Sequence, residues 1–222
     1  MADIFHRTLS LEGPTGRLEA ILWNTPAAGP HLAALVCHPH PLYGGTMHNK
    51  VVYQAAKSLH THGIPVLRFN FRGTGESEGV HDHGHGEEAD VRAALAYLAA
   101  EFPARLILLA GFSFGATVGL RVGCQDPRVS ELIGLGIPVD NVSLEYLRAC
   151  AKPKLIIQGA KDEYGSRGSV EALFQAMPGA KRLVFVEDAD HFFTGRLDQV
   201  AAAIDAWLEE RHNFRPTQRN DL

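Results

Sequence analysis

The chain has 222 residues, 45% of them hydrophobic, enough for one sizeable core, so a single domain is expected over residues 1–212 with a mobile polar tail over 213–222. Its formal charge of −4, from 21 basic and 25 acidic residues, leaves no positive surplus for a phosphate backbone or an anionic membrane surface, which argues against nucleic-acid or membrane partners. Three cysteines, Cys37, Cys124 and Cys150, are too few and too widely spaced for a disulfide framework or a thiolate metal site, and they fit a reducing cytoplasm.

The elements follow in chain order. Arg17-Leu18-Glu19-Ala20-Ile21-Leu22-Trp23 alternates in polarity after the turn-like Glu12-Gly13-Pro14-Thr15-Gly16, as the second arm of an antiparallel hairpin does. From Leu32 the texture changes to short apolar runs alternating with helical patterns. The runs are Leu32 to Cys37, Val66 to Phe71, Arg105 to Ala110, Leu132 to Ile137, Lys154 to Gln158 and Arg182 to Val186. The helices are expected near Asn49 to His62, Glu87 to Glu101, Phe114 to Gln125, Val170 to Met177 and Leu197 to His212. Continuous apolar strands are covered on both faces, and their alternation with helices predicts an α/β, doubly wound, mostly parallel sheet preceded by the hairpin. The first residues lack the layout of a secretory signal, and no apolar run approaches a membrane span.

Gly111-Phe112-Ser113-Phe114-Gly115 matches G-x-S-x-G. Composition alone would produce that pattern in roughly one such chain in a dozen, so its position matters more than its letters. It stands after an apolar strand and before a helix, where a sharp turn holds the serine clear of the sheet and glycines two residues away avoid collision. Ser113 is therefore the candidate nucleophile, with the Phe114 amide as an oxyanion donor; a plain helix N-cap is the bland alternative. A serine needs a base, and the base needs an acid to fix its tautomer. Asp162 and His191 follow the last two strands in the order Ser, Asp, His, with Asp140 one strand earlier as a rival acid.

On these motifs, together with Cys37-His38-Pro39-His40-Pro41-Leu42-Tyr43-Gly44-Gly45-Thr46-Met47 and Asn70-Phe71-Arg72-Gly73-Thr74-Gly75-Glu76-Ser77, the sequence resembles the α/β-hydrolase superfamily. It is similar to a subgroup of small, lidless bacterial serine hydrolases, of dienelactone-hydrolase-like size but with a serine nucleophile. The resemblance implies catalytic roles for Ser113, Asp162 and His191. It also implies a second oxyanion amide from the loop after the third strand. Pro39 and Pro41 carry no N–H, which leaves His40 ahead of Leu42 and Tyr43. The run from Arg72 to Ser77 would brace that loop and the serine turn.

Only Val139 to Lys152 separates two strands where relatives often insert a lid, so an open cleft is expected, flanked by Leu42, Tyr43, Phe112, Phe114, Phe192 and Phe193. Such a cleft suits small-molecule esters or thioesters of short to medium acyl chain, with no cofactor. His81-Asp82-His83-Gly84-His85 lacks the spacing of a metal site and reads as a solvated loop. A prolyl-aminopeptidase-like peptidase and a catalytically silent scaffold are the alternatives; the first normally needs a cap, the second commonly lacks a triad member.

Overall fold

The computed structural model describes residues 5–25 and 31–213. Alternation in the first segment builds a hairpin in which β1 (Phe5–Gly13) pairs antiparallel with β2 (Gly16–Asn24). Leu18, Ala20 and Leu22 of β2 are all buried, because every second side chain of a strand faces the same side. The unbroken apolar runs become β3 (Leu32–Cys37), β4 (Val66–Phe69), β5 (Leu106–Phe112), β6 (Val129–Leu135) and β7 (Lys154–Gly159). The last strand, β8 (Lys181–Val186), is half-buried at the sheet edge.

The eight strands lie in the order β1-β2-β4-β3-β5-β6-β7-β8, parallel from β4 to β8. Helices α1 (Lys50–Thr61) and α5 (Leu197–His212) cover one face; α2 (His85–Glu101), α3 (Phe114–Gln125) and α4 (Arg167–Ala176) cover the other. Leu108 and Ala110 of β5 enter the first core and Leu109 the second, so one strand feeds both layers. The chain passes from β3 to β4 on one side and then returns to place β5 on the other. That reversal opens a crevice beyond the carboxyl ends of β3 and β5, where ligands bind in open α/β sheets.

Boundaries differ from the sequence expectation where side chains or turns intervene. β4 stops at Phe69, and the Phe71 amide is spent on the His38 ring. β6 stops at Leu135 because Gly136 takes a left-handed φ of 51°. α2 starts two residues early, at His85, where the Arg72 guanidinium donates to Gly86 O at 2.6 Å and pairs with buried Asp90 at 2.7 Å. Between β6 and β7 there is a 3-10 turn at Glu145–Ala149 and no lid. Among the described residues no helix is long and apolar enough to cross a membrane. Asn213 caps α5, and the rest of the expected tail lies outside the described residues.

Candidate active site

Ser113 sits between β5 and α3 with φ 55° and ψ −117°, a region that costs a non-glycine residue on the order of 1–3 kcal/mol. The surroundings hold it there. Its amide donates to Leu135 O at 2.9 Å, tying the turn to the end of β6. A Cβ on Gly115 would stand 2.5 Å from the carbonyl oxygens of both Cys37 and His38, so only glycine lets α3 approach the end of β3 this closely.

Asp162 and His191 arrive on loops that are laced together. After β7 and β8, the amides of Ala160 and Lys161 donate to Val186 O and Ala189 O, each at 2.9 Å. His191 Nδ1 then lies 2.8 Å from Asp162 Oδ2, and His191 Nε2 lies 2.9 Å from Ser113 Oγ. Because a carboxylate only accepts, the His191 proton belongs on Nδ1, which leaves Nε2 to accept from the serine hydroxyl. Asp162 and His191 are both buried, and the ring packs among Tyr164, Phe112 and Phe192 at centroid distances of 4.6, 5.1 and 5.2 Å. The rival acid Asp140 spends its carboxylate on the Ser166 amide at 2.6 Å instead.

Two supporting residues escaped the sequence reading. Gln158, fully buried on β7, donates to Asp162 Oδ2 at 2.7 Å and to Gly165 O at 3.1 Å, and accepts from the Ile137 amide at 2.9 Å. It thus joins the acid to the end of β6, against which His191 packs at Gly136. His38, also fully buried, accepts from the Phe71 amide at Nε2 (2.9 Å), so its Nδ1 carries the proton and donates to Pro39 O at 2.6 Å. Burial pushes its pKa down to about 4, against the pull of the Pro39 carbonyl. A buried Gln in an apolar strand and a His before Pro were the only signals the sequence offered.

His38 thereby braces the loop after β3. In that loop the amides of Tyr43 and Gly45 donate to His40 O, that of Gly44 to Pro41 O, and that of Leu42 to His40 Nδ1. The His40 and Phe114 amides make no hydrogen bond among the described residues, and both residues border the cleft with Ser113. Asn70, just before the Arg72–Ser77 run, accepts from the Met47 amide at 2.8 Å, and Ser77 of that run donates to Asn70 O at 2.7 Å.

The cleft over Ser113 has a volume of about 750 Å³. Tyr43, Phe114 and Phe192 border it as expected. Three other aromatic or aliphatic residues do not, which corrects the sequence reading. Phe112 is fully buried under His191 because strand alternation turns it into the core, and Phe193 is buried with it; Leu42 projects into solvent outside the cleft. The His81–His85 loop is also more than solvated: His81, His83 and His85 border the cleft, and His81 is packed against His40 and Phe114. Among the described residues no group of three or more His, Cys, Asp or Glu side chains converges as a metal site.

The fold is shared with known proteins. A family profile described as an alpha/beta hydrolase domain matches residues 34–215. An α/β serine hydrolase without lid from Xanthomonas campestris superposes with a TM-score of 0.86 at 36% identity, over 96% of this chain and 97% of that one. An α/β serine hydrolase homologue from Coxiella burnetii gives the same TM-score of 0.86 and 36% identity, over 94% and 98%. An uncharacterized protein of Rickettsia prowazekii is 37% identical over 205 residues, 88% of this chain and 86% of its own.

Proposed function

We propose a serine-esterase function for this chain, which belongs to the α/β-hydrolase superfamily: Ser113 is the nucleophile, His191 the base and Asp162 the acid that orients it. One observation carries the reading. A serine in a strained turn lies 2.9 Å from an imidazole whose far nitrogen is held by a buried carboxylate.

In the first half-reaction the Ser113 hydroxyl passes its proton to His191 Nε2 while Oγ bonds to the acyl carbon. The resulting oxyanion is met by the Phe114 and His40 amides, neither of which bonds another described residue. Collapse breaks the bond to the leaving oxygen or sulfur, which takes the proton from His191. Water then gives its proton to His191 and its hydroxide to the acyl carbon, and release of the acid returns the proton to Ser113. The lidless cleft supports substrates of short to medium acyl chain, esters or thioesters. The three free thiols support a reducing, cytoplasmic working place.

The test is labelling with a fluorophosphonate followed by peptide mapping, run beside p-nitrophenyl acetate and an aminoacyl-anilide. Label on Ser113 with ester turnover supports the reading; anilide turnover alone makes the chain a peptidase, and neither makes it a scaffold. A chain-length series in which long-chain esters react fastest would refute the preference for short acyl groups.

A further inference from the structure

A second hollow of about 530 Å³ adjoins the cleft. It is built where the chain enters the two helices of one face: Thr46, His48 and Val51 come from the approach to α1 and its first turn, and Phe193, Thr194 and Leu197 from the approach to α5 and its first residue. Asn49 and Phe192 line both the hollow and the cleft, so they form the partition between the two.

The two halves of that partition are held differently. Asn49 is tied on both sides of its residue, its side chain accepting from the Val51 amide at 2.9 Å and its carbonyl from the Tyr53 amide at 2.8 Å. Phe192 is anchored through its neighbours instead. His191 is fixed in the triad, the Phe193 amide donates to Asp190 O at 3.1 Å, and the Thr194 amide donates to Asp190 Oδ1 at 2.9 Å. The Phe192 ring stands edge-on to His191 at 5.2 Å and to Phe112 at 6.0 Å, yet the residue is 51% exposed. Its side chain is the part of the partition that a substitution removes without cutting a hydrogen bond.

The cleft is also uneven about the nucleophile. On the α3 side it extends to Arg121, eight positions beyond Ser113, about 12 Å along the helix axis at ~1.5 Å per residue. Towards α1 and α5, which cover the opposite face of the sheet, it stops at Asn49 and Phe192 with the hollow beyond. An ester carries two chains that diverge from its carbonyl carbon. One has room along the cleft; the other meets a phenyl ring one residue from the catalytic base.

We propose that Phe192 is a specificity-determining residue that limits the length of one arm of the substrate, the apolar acyl or alkoxy chain directed towards the starts of α1 and α5. The proposal rests on the esterase reading and narrows its substrates to esters with one extended arm and one short one. Val51, Phe193 and Leu197 give the closed-off hollow apolar walls, so removal of the ring lets a longer chain bury more methylenes there.

The experiment compares p-nitrophenyl butyrate with the octanoate for the acyl arm, and butyl with octyl acetate for the alkoxy arm. The long-to-short ratio of kcat/KM is taken within each variant, so that a general loss from removing a ring beside His191 cancels. In one arm only, Phe192→Ala should raise that ratio by about tenfold over the wild type, the effect of burying roughly two more methylenes, with Phe192→Leu in between. Adding His48→Trp to Phe192→Ala should fill the hollow and return the ratio towards the wild-type value, whereas His48→Trp alone should leave it unchanged. Ratios that move in neither arm, or rise alike in both, overturn the proposal, as does a gain that His48→Trp leaves intact. Equilibrium binding of the four esters to Ser113→Ala, with and without Phe192→Ala, keeps the two readings apart. If the wild type cleaves no ester, the esterase reading fails; the partition then stands if removing Phe192 tightens binding of the longer ester in one arm only, and falls otherwise.

Discussion

The cleft holds two histidine–carboxylate pairs, and they differ in what the imidazole meets. His191 on Asp162 and His81 on Glu87 both have buried carboxylates fed by backbone amides, and both residues border the cleft with their rings nearly fully buried. His191 Nε2 meets a serine hydroxyl at 2.9 Å, whereas His81 Nε2 is buried with no hydrogen-bond partner among the described residues. Backing an imidazole with a carboxylate thus fixes its orientation, and the two differ in the third group: at His191 a serine hydroxyl stands within hydrogen-bond reach. The pairs also differ in origin. Glu87, in the first turn of α2, comes only six positions after His81, while the Asp162–His191–Ser113 chain needs three strand ends in register.

Breaking the first difference should have the largest effect. Ser113→Ala should lower ester turnover by about 10⁴-fold or more, with an unchanged circular dichroism spectrum showing that the fold persists. Asp162→Asn should follow at about 10³–10⁴-fold, because the amide favours the wrong imidazole tautomer; kcat on p-nitrophenyl acetate measures it.

A third imidazole sharpens the contrast, since His38 is buried neutral with no carboxylate behind it. Its folded pKa of about 4 lies below the ordinary 6.5, so acid favours the unfolded chain. The stability this group contributes is complete above pH 6.5 and is lost as pH falls towards 4, by about 3 kcal/mol in all. Urea denaturation across that window should show the loss, and His38→Asn should flatten it. The smallest effect is expected at Gln158. Gln158→Leu, which frees Asp162 from one of its holders, should cut kcat about ten- to a hundredfold while KM holds. Equal losses in kcat and in folded fraction would reduce Gln158 to a purely structural residue.

Much of the site was legible because it is tied to local signals. Gly111 to Gly115 at a strand-to-helix turn, and an Asp and a His after the last two strands, carry their positions in sequence order. The supports were not legible: Gln158 reads as one polar residue in a strand, and its contacts reach Ile137, Asp162 and Gly165 on other segments. Phe112 and Leu42 were misplaced for a related reason. An aromatic beside the nucleophile and an apolar loop residue look like cleft walls until the pleat turns one inward and the 3-10 turn points the other out.

By itself the amino-acid sequence determined the alternation of strand and helix, the sharp turn at Ser113 and the chain order of its partners, because periodicity and turn chemistry act over a few residues. Only the tertiary structure decided that His191 reaches both Ser113 and Asp162, that the His40 amide bonds no other described residue, and that His81 and Arg121 both border the cleft. Each of these depends on how far apart separate strand ends and helix starts come to rest. Those distances are set by packing across the whole sheet, which no short window of sequence contains.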